Sequence, residues 1–286
     1  MMDAISLSSA QQQRAASLIG ACSIELSPLD DCAGDPLRAL MCPGTTVFVS
    51  HPPGVTHHDI VGACARLRRA GFVPVPHVAS RRLASFTQAS DFLQRAVGEA
   101  GIDRILLIGG DDAPVGPFHA SLDLLATGVV ERHGIHQVAF GGYPEGHPAI
   151  DVRTLDAALQ AKVALAERGR LAASLVTQLG FAAGPILHWI AAQRARAIEC
   201  PVYVGIAGPA SVATLAQFAI RCGIGASLRA LARGHTAIAR ITTEAGPDAL
   251  VTALVAGEHP RAPVAGLHIF TFGGVRRTAE WIRANA

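Results

Sequence analysis

Residues 45–71 read TTVFVSHPPGVTHHDIVGACARLRRAG, and the fold turns on how this stretch is parsed. TTVFVS, Thr45 to Ser50, is a short apolar run without polar alternation, the pattern of a strand covered on both faces. A proline-rich loop follows. The amphipathic segment HHDIVGACARLRRAG then closes at Gly71, where a left-handed residue can end the last turn. That is one strand–helix unit, and it recurs. ACSIEL (Ala21 to Leu26) precedes a short helix near DPLRAL. FVPVPHVA (Phe72 to Ala79) precedes RLASFTQASDFLQRAVGEAG, and RILLIGG (Arg104 to Gly110) precedes PFHASLDLLATGVVERHG. QVAFGGY leads to VRTLDAALQAKVALAERG, and AASLVTQLGF (Ala172 to Phe181) to PILHWIAAQRARAIE. PVYVGIAG (Pro201 to Gly208) leads to SVATLAQFAIRCG and to the helical segments GASLRALARG and GPDALVTALVAG. GLHIFTFG (Gly266 to Gly273) ends in VRRTAEWIRA. Helices are expected to stop at Gly71, Gly101, Gly134 and Gly169. Eight such units predict a (β/α)8 TIM barrel, a single α/β domain over residues 1–286 with 1–18 as a helical or extended lead-in. An open doubly wound sheet would need fewer strands and favours GxGxxG after the first, which is absent.

Composition narrows the function. Half of the 286 residues are hydrophobic and 16% are charged, and 24 basic side chains against 22 acidic ones give a net charge of +2. No basic run marks a nucleic-acid surface. No apolar run approaches the roughly 20 residues of a membrane helix. The N-terminus lacks the basic start and apolar core of a signal peptide. The six cysteines, Cys22, Cys32, Cys42, Cys64, Cys200 and Cys222, form no CxxC pair, so they are expected to be buried small hydrophobes in a reduced, cytoplasmic enzyme. Lys162 is the single lysine; every other basic side chain is arginine. A lone lysine among arginines invites a specific role.

In such barrels the chemistry sits at the C-terminal strand ends. There the sequence places Glu25, Ser50 and His51, His77, Asp111 and Asp112, Tyr143 with Glu145 and His147, Thr177 and Gln178, and Thr271. Glu25 lies inside the apolar SIEL. It is either a general acid whose carboxyl burial pushes upward, or half of an ion pair with a rim arginine. Gly109 and Gly110 let backbone N–H groups approach a flat or anionic ligand. Thr177 and Gln178 suit the edge of a heterocycle. AFGGYPEGHPAI, Ala139 to Ile150, holds Tyr143, Glu145 and His147 among glycines and prolines. No HxH, HExxH, GxSxG or GxxxxGK[ST] is present, so neither a metal centre, a nucleophile elbow nor a phosphate loop is expected.

Read in order, SIELSP, THHDIV, VPHV, GGD, GGYPEGHP, VTQLGF, VGIAGPAS and FTFGG resemble the methylenetetrahydrofolate reductase family in its compact bacterial form. YPEGHP is the most specific of them. The resemblance implies a (β/α)8 flavoprotein that reduces 5,10-methylenetetrahydrofolate to 5-methyltetrahydrofolate with NAD(P)H, or runs the reverse oxidation. It implies FAD across the barrel's C-terminal face, with the folate and the nicotinamide nucleotide as small-molecule partners. Glu25 matches the family's acid and Asp111 its aspartate near the flavin, as catalytic residues. Thr56, His77, Gly110, Asp111, Ala120, Ser121, Tyr143, His147, Asp156 and Lys162 match flavin contacts. Gln178, with Thr177 and Glu25, matches the folate side. The chain departs from the family where IELSPL replaces FEFFPP, where GGD replaces RGD and so lacks an arginine at Gly109, and where FTFG replaces YTLN. GPASVATLAQFA shows no clear folate-stacking aromatic. Family members often assemble as homo-oligomers through apolar helices, and that option carries over.

Two other classes use the same residues. A flavin-free barrel lyase or aldolase acting on an acidic small molecule would use the rim carboxylates, although Lys162 falls on a helix and not on a strand end. A non-catalytic folate- or flavin-binding partner subunit would account for the altered motifs.

Overall fold

The computed structural model describes residues 7–30, 33–221 and 244–286. The strands are β1 (Ser23–Leu26), β2 (Thr46–Val49), β3 (Val73–Ala79), β4 (Arg104–Ile108), β5 (Gln137–Gly142), β6 (Ala172–Thr177), β7 (Val202–Ala207), β8 (Ala210–Ser211), β9 (Glu244–Ala245) and β10 (Gly266–Phe270). Eight of them close a barrel in the order β1-β10-β7-β6-β5-β4-β3-β2. Its described pairings are parallel: Glu25 faces Phe48, Phe48 faces Val75, His77 faces Leu106, and Leu107 faces Phe140. Helices follow the strands, as the sequence pattern predicts. The exception to the barrel is a two-residue antiparallel pair, Ala210 with Ala245 and Ser211 with Glu244.

Chain contacts cluster into two units. The first comprises Ile24–Gly141 and Asp156–Leu175. Its core holds Ile24, Val47, Ile60, Leu67, Phe72, Phe92, Leu93, Ile105 and Phe140, none more than 2% exposed. Each such side chain contributes about 1.5–3 kcal/mol by leaving water. The second comprises Met1–Ser23, Gly142–Leu155 and Val176–Ala286. In it Leu179, Ala207, Ala210, Val212, Leu215 and Ala219 are buried, with Phe181, Phe218, Phe270 and Phe272 packed against them. The lead-in extends as a helix to Gly20, started by a capping box between Ser8 and Gln11. Arg14 anchors that helix, donating to Glu258 (3.1 and 2.8 Å) and to the Val264 carbonyl (2.6 Å).

Several expectations change. β6 stops at Thr177 rather than Phe181, and β4 at Ile108 rather than Gly110. The long helix expected after β4 is two short ones, Ser121–Ala126 and Val129–Arg132, split at Gly128. Left-handed residues do stand at Gly71, Gly101 and Gly134, but helix Val152–Arg168 is followed by Arg170 at φ 57°, not by a left-handed Gly169. A Cβ at Gly169 would lie 2.2 Å from Glu131 Oε1, a flexible side-chain end that can move aside. Cys22 and Cys64 are buried, whereas Cys42 is exposed. Residues 1–6, Cys32, Cys222 and the expected helix GASLRALARG lie outside the described residues. Among the described residues no helix is long and apolar enough to cross a membrane, and no cluster of ligands could hold a metal ion.

Candidate active site

Within the first unit, Glu25 sits between Ile24 and Leu26, which are 0% and 1% exposed. Strand alternation turns those two to one face and Glu25 to the other. Its partner is not an arginine but His77: Nε2 lies 3.4 Å from Glu25 Oε2, with side-chain exposures of 9% and 20%. That separation is ion-pair range and long for a hydrogen bond. Phe48, opposite Glu25 in the register, presents its ring edge-on to His77 at 6.2 Å. A carboxyl, an imidazole and a phenyl ring thus meet in a largely dry place, where proton position is set by few neighbours.

A cleft of about 380 Å³ opens beside the end of β2, lined among others by His51, Thr56, His57, Arg82, Gln88 and Asp112. Burial pushes His51 down to about 4, helped by the nearby charges of His57 and Arg82, so it is neutral at pH 7. His51 Nε2 lies 3.2 Å from the Val55 carbonyl. A carbonyl only accepts, so Nε2 carries the hydrogen and the buried Nδ1, which has no hydrogen-bond partner among the described residues, is a bare acceptor. Arg82 ties this region together, donating to Asp112 (2.5 Å) and to the carbonyls of His51 (2.5 Å) and Pro52 (2.7 Å). Asp112 is therefore the engaged carboxylate of GGDD, while Asp111 is exposed.

Other expected contacts serve local structure. Thr56 caps helix His57–Arg69: its Oγ1 donates to Asp59 Oδ2 (2.6 Å) and accepts from the Asp59 N–H (3.2 Å). Ala120 offers no free N–H, because Asp123 Oδ2 accepts from His119 and Ala120 at 2.8 Å each. Ser121 is buried. Lys162 differs. It lies on helix Val152–Arg168, is 9% exposed, and holds Nζ 5.3 Å from the centre of the Phe140 ring. Burial lowers it to about 8, with no carboxylate in reach among the described residues to offset that. Asp156 shares the helix, six positions earlier.

The second unit holds the remaining residues. Tyr143 meets His147 edge-to-face at 5.5 Å, and the turn between them is closed by Gly146 N–H on the Tyr143 carbonyl (3.0 Å). The Ala149 N–H donates to His147 Nδ1 (3.1 Å). A Cβ at Gly142 would meet the Trp189 ring at 2.6 Å, so the ring would have to shift to admit a larger residue. Thr177 is 1% exposed and fully used: its Oγ1 accepts from the Gly205 N–H (2.8 Å) and donates to the Gln178 carbonyl (3.0 Å). It braces β6 against β7 and leaves nothing for a substrate. Gln178 keeps a buried Nε2 without a hydrogen-bond partner among the described residues, so its amide can still donate to a ligand. GPASVATLAQFA shows no clear folate-stacking aromatic in sequence. Yet Phe218, on helix Val212–Arg221, stacks on Phe272 at 3.6 Å, and Phe272 lies parallel to Phe270 at 5.4 Å. The F-x-F spacing of residues 270–272 was the available signal, because alternate residues of an extended chain face one way.

No protein-family model matches the chain. Among solved structures it is similar to the dihydropteroate synthase FolP of Thermus thermophilus, at 14% identity and a TM-score of 0.49, over 92% of this chain and 91% of that one. A likeness at that level says nothing about chemistry, which rests on the residues above.

Proposed function

We propose that the chain is an oxidoreductase of the methylenetetrahydrofolate reductase type, acting on a folate with FAD as cofactor and NAD(P)H as co-substrate. The observation that carries this reading is the Glu25–His77 pair, a carboxyl held half-buried inside an apolar strand with an imidazole 3.4 Å away. Opening the methylene bridge of the substrate requires protonation of the departing nitrogen. Glu25 supplies that proton, and the substrate opens to its 5-iminium cation. His77 is placed to return the proton to Glu25 after turnover. Asp111, in the same unit, adds a negative charge that favours the cation.

FAD fits these residues in part. Lys162 is a buried cation without a neutralising carboxylate among the described residues, which suits phosphate oxygens. The Gly110 turn, in the same unit as Lys162, offers backbone N–H groups. Thr56 and Ala120 can contribute only packing, because helix capping consumes their polar groups. The flavin, when bound, supplies the hydride. The consumed groups favour one second reading, a flavin-free barrel lyase acting on an acidic small molecule. Glu25→Gln tests the choice: it should abolish folate reduction while sparing NADH oxidation by a quinone such as menadione. Equal loss of both activities would remove the acid role.

A further inference from the structure

The turn that ends β4 is held at four points by one neighbouring residue. Arg81, just past β3, donates its backbone N–H to the Gly109 carbonyl (2.9 Å) and accepts from the Val115 N–H (2.9 Å). Its Nε donates to the His119 carbonyl (2.7 Å) and its Nη1 to the Gly110 carbonyl (3.1 Å). The excursion from Gly109 to His119 is thus moulded on Arg81. At Gly116 the fit is so close that a Cβ would fall 2.4 Å from the Leu83 carbonyl oxygen.

This places the guanidinium beside Gly109, with Nε 4.0 Å from where a Cβ would stand. The remaining guanidinium N–H groups have no acceptor among the described residues, and no carboxylate there forms an ion pair with Arg81. The backbone N–H groups of Gly110, Asp111 and Asp112 likewise donate to nothing described. Gly110 has φ +93°, and successive free N–H groups around a left-handed residue make a concave donor site. Lys162, also without a neutralising carboxylate, stands over Phe140 of the adjacent strand β5 in the same unit. Of the two carboxylates on the turn, Asp112 is paired with Arg82 and Asp111 is exposed to solvent.

We infer that Arg81 and the N–H groups of Gly110 to Asp112 form an oxyanion site that takes phosphate oxygens of the ligand. This deepens the reading above and rests on it where the ligand is FAD. Isothermal titration of the full chain with FAD, and separately with inorganic pyrophosphate, tests it without any activity assay. Arg81→Gln should weaken both by about tenfold to a hundredfold, the worth of a charge-assisted hydrogen bond. Arg81→Lys should recover part of the loss. Arg132→Gln is the control, because it removes a guanidinium of the same unit that reaches only the Thr127 carbonyl and the Phe86 ring. Equal weakening in Arg132→Gln, or a folded Arg81→Lys no better than Arg81→Gln, overturns the site. Unchanged FAD affinity in Arg81→Gln overturns the site and leaves the flavin reading standing. Pyrophosphate binding that needs Arg81, with no FAD binding, sinks the flavin reading and keeps the site. A wild-type chain that binds neither overturns both.

Discussion

Lys162→Met should make the ligand-free protein more stable. Burial takes Lys162 from 10.5 to about 8. At about 1.4 kcal/mol per pH unit this corresponds to ~3 kcal/mol against the charged form. The Phe140 ring, 5.3 Å from Nζ, returns roughly 0.5–2 kcal/mol through cation–π attraction. The net cost at pH 7 is on the order of 2 kcal/mol, and methionine fills similar space without it. The sign follows from proton counts. Because the folded pKa lies below the unfolded one, the unfolded chain binds more protons between pH 8 and 10.5, and stability rises with pH across that window. Below pH 8 the penalty is complete; above 10.5 it is gone. Cys22 and Cys64 act oppositely, since burial raises each thiol from 9.0 to about 12 and stability falls as the unfolded chain loses those protons first. Subtracting the Lys162→Met curve from wild type removes the thiols. Denaturant unfolding from pH 7 to 11 should show the variant ahead by about 2 kcal/mol at pH 7 and the gap closing above pH 8. A flat difference, or a less stable variant at pH 7, would mean that Lys162 is hydrated or ion-paired, and would refute the reasoning.

Two further substitutions separate bracing from binding. Gly205→Ala would place a Cβ 2.3 Å from the Thr177 carbonyl oxygen and 2.8 Å from that of Gln178, both backbone atoms. Thermal unfolding should show a loss of about 3 kcal/mol, and a neutral result would contradict the close approach of β6 and β7. Thr56→Ala should cost about 1 kcal/mol as a lost helix cap while leaving FAD affinity unchanged. A drop in affinity without a drop in stability would restore Thr56 as a cofactor contact.

The barrel was legible because both-face burial writes strands as short apolar runs, and eight of them, each followed by an amphipathic segment, admit few architectures. The limits of those runs were not legible. β6 reads on apolar to Phe181, but the strand stops where Thr177 turns its hydroxyl to Gly205. Glu25 stood out because a carboxylate inside SIEL conflicts with its surroundings, although its partner could not be read: His77 is 52 residues away and meets it from β3, with β2 between their strands. Residues whose polar groups are consumed locally misled in the other direction. Thr56, Thr177 and Ala120 look like contacts in sequence, and only the structure reveals Asp59, Gly205 and Asp123 as their partners. Arg81 was missed because it follows a strand end as one of two adjacent arginines, and its role lies in the glycine turn it supports.

The central claim, a flavin on a folate-active barrel, meets its most direct test in a visible absorbance titration of the purified chain with FAD, followed by NADH and then methylenetetrahydrofolate. The account predicts a bound-flavin band near ~450 nm that bleaches with NADH and returns when the folate is added. A chain with no flavin band, and none after FAD is supplied, would contradict it.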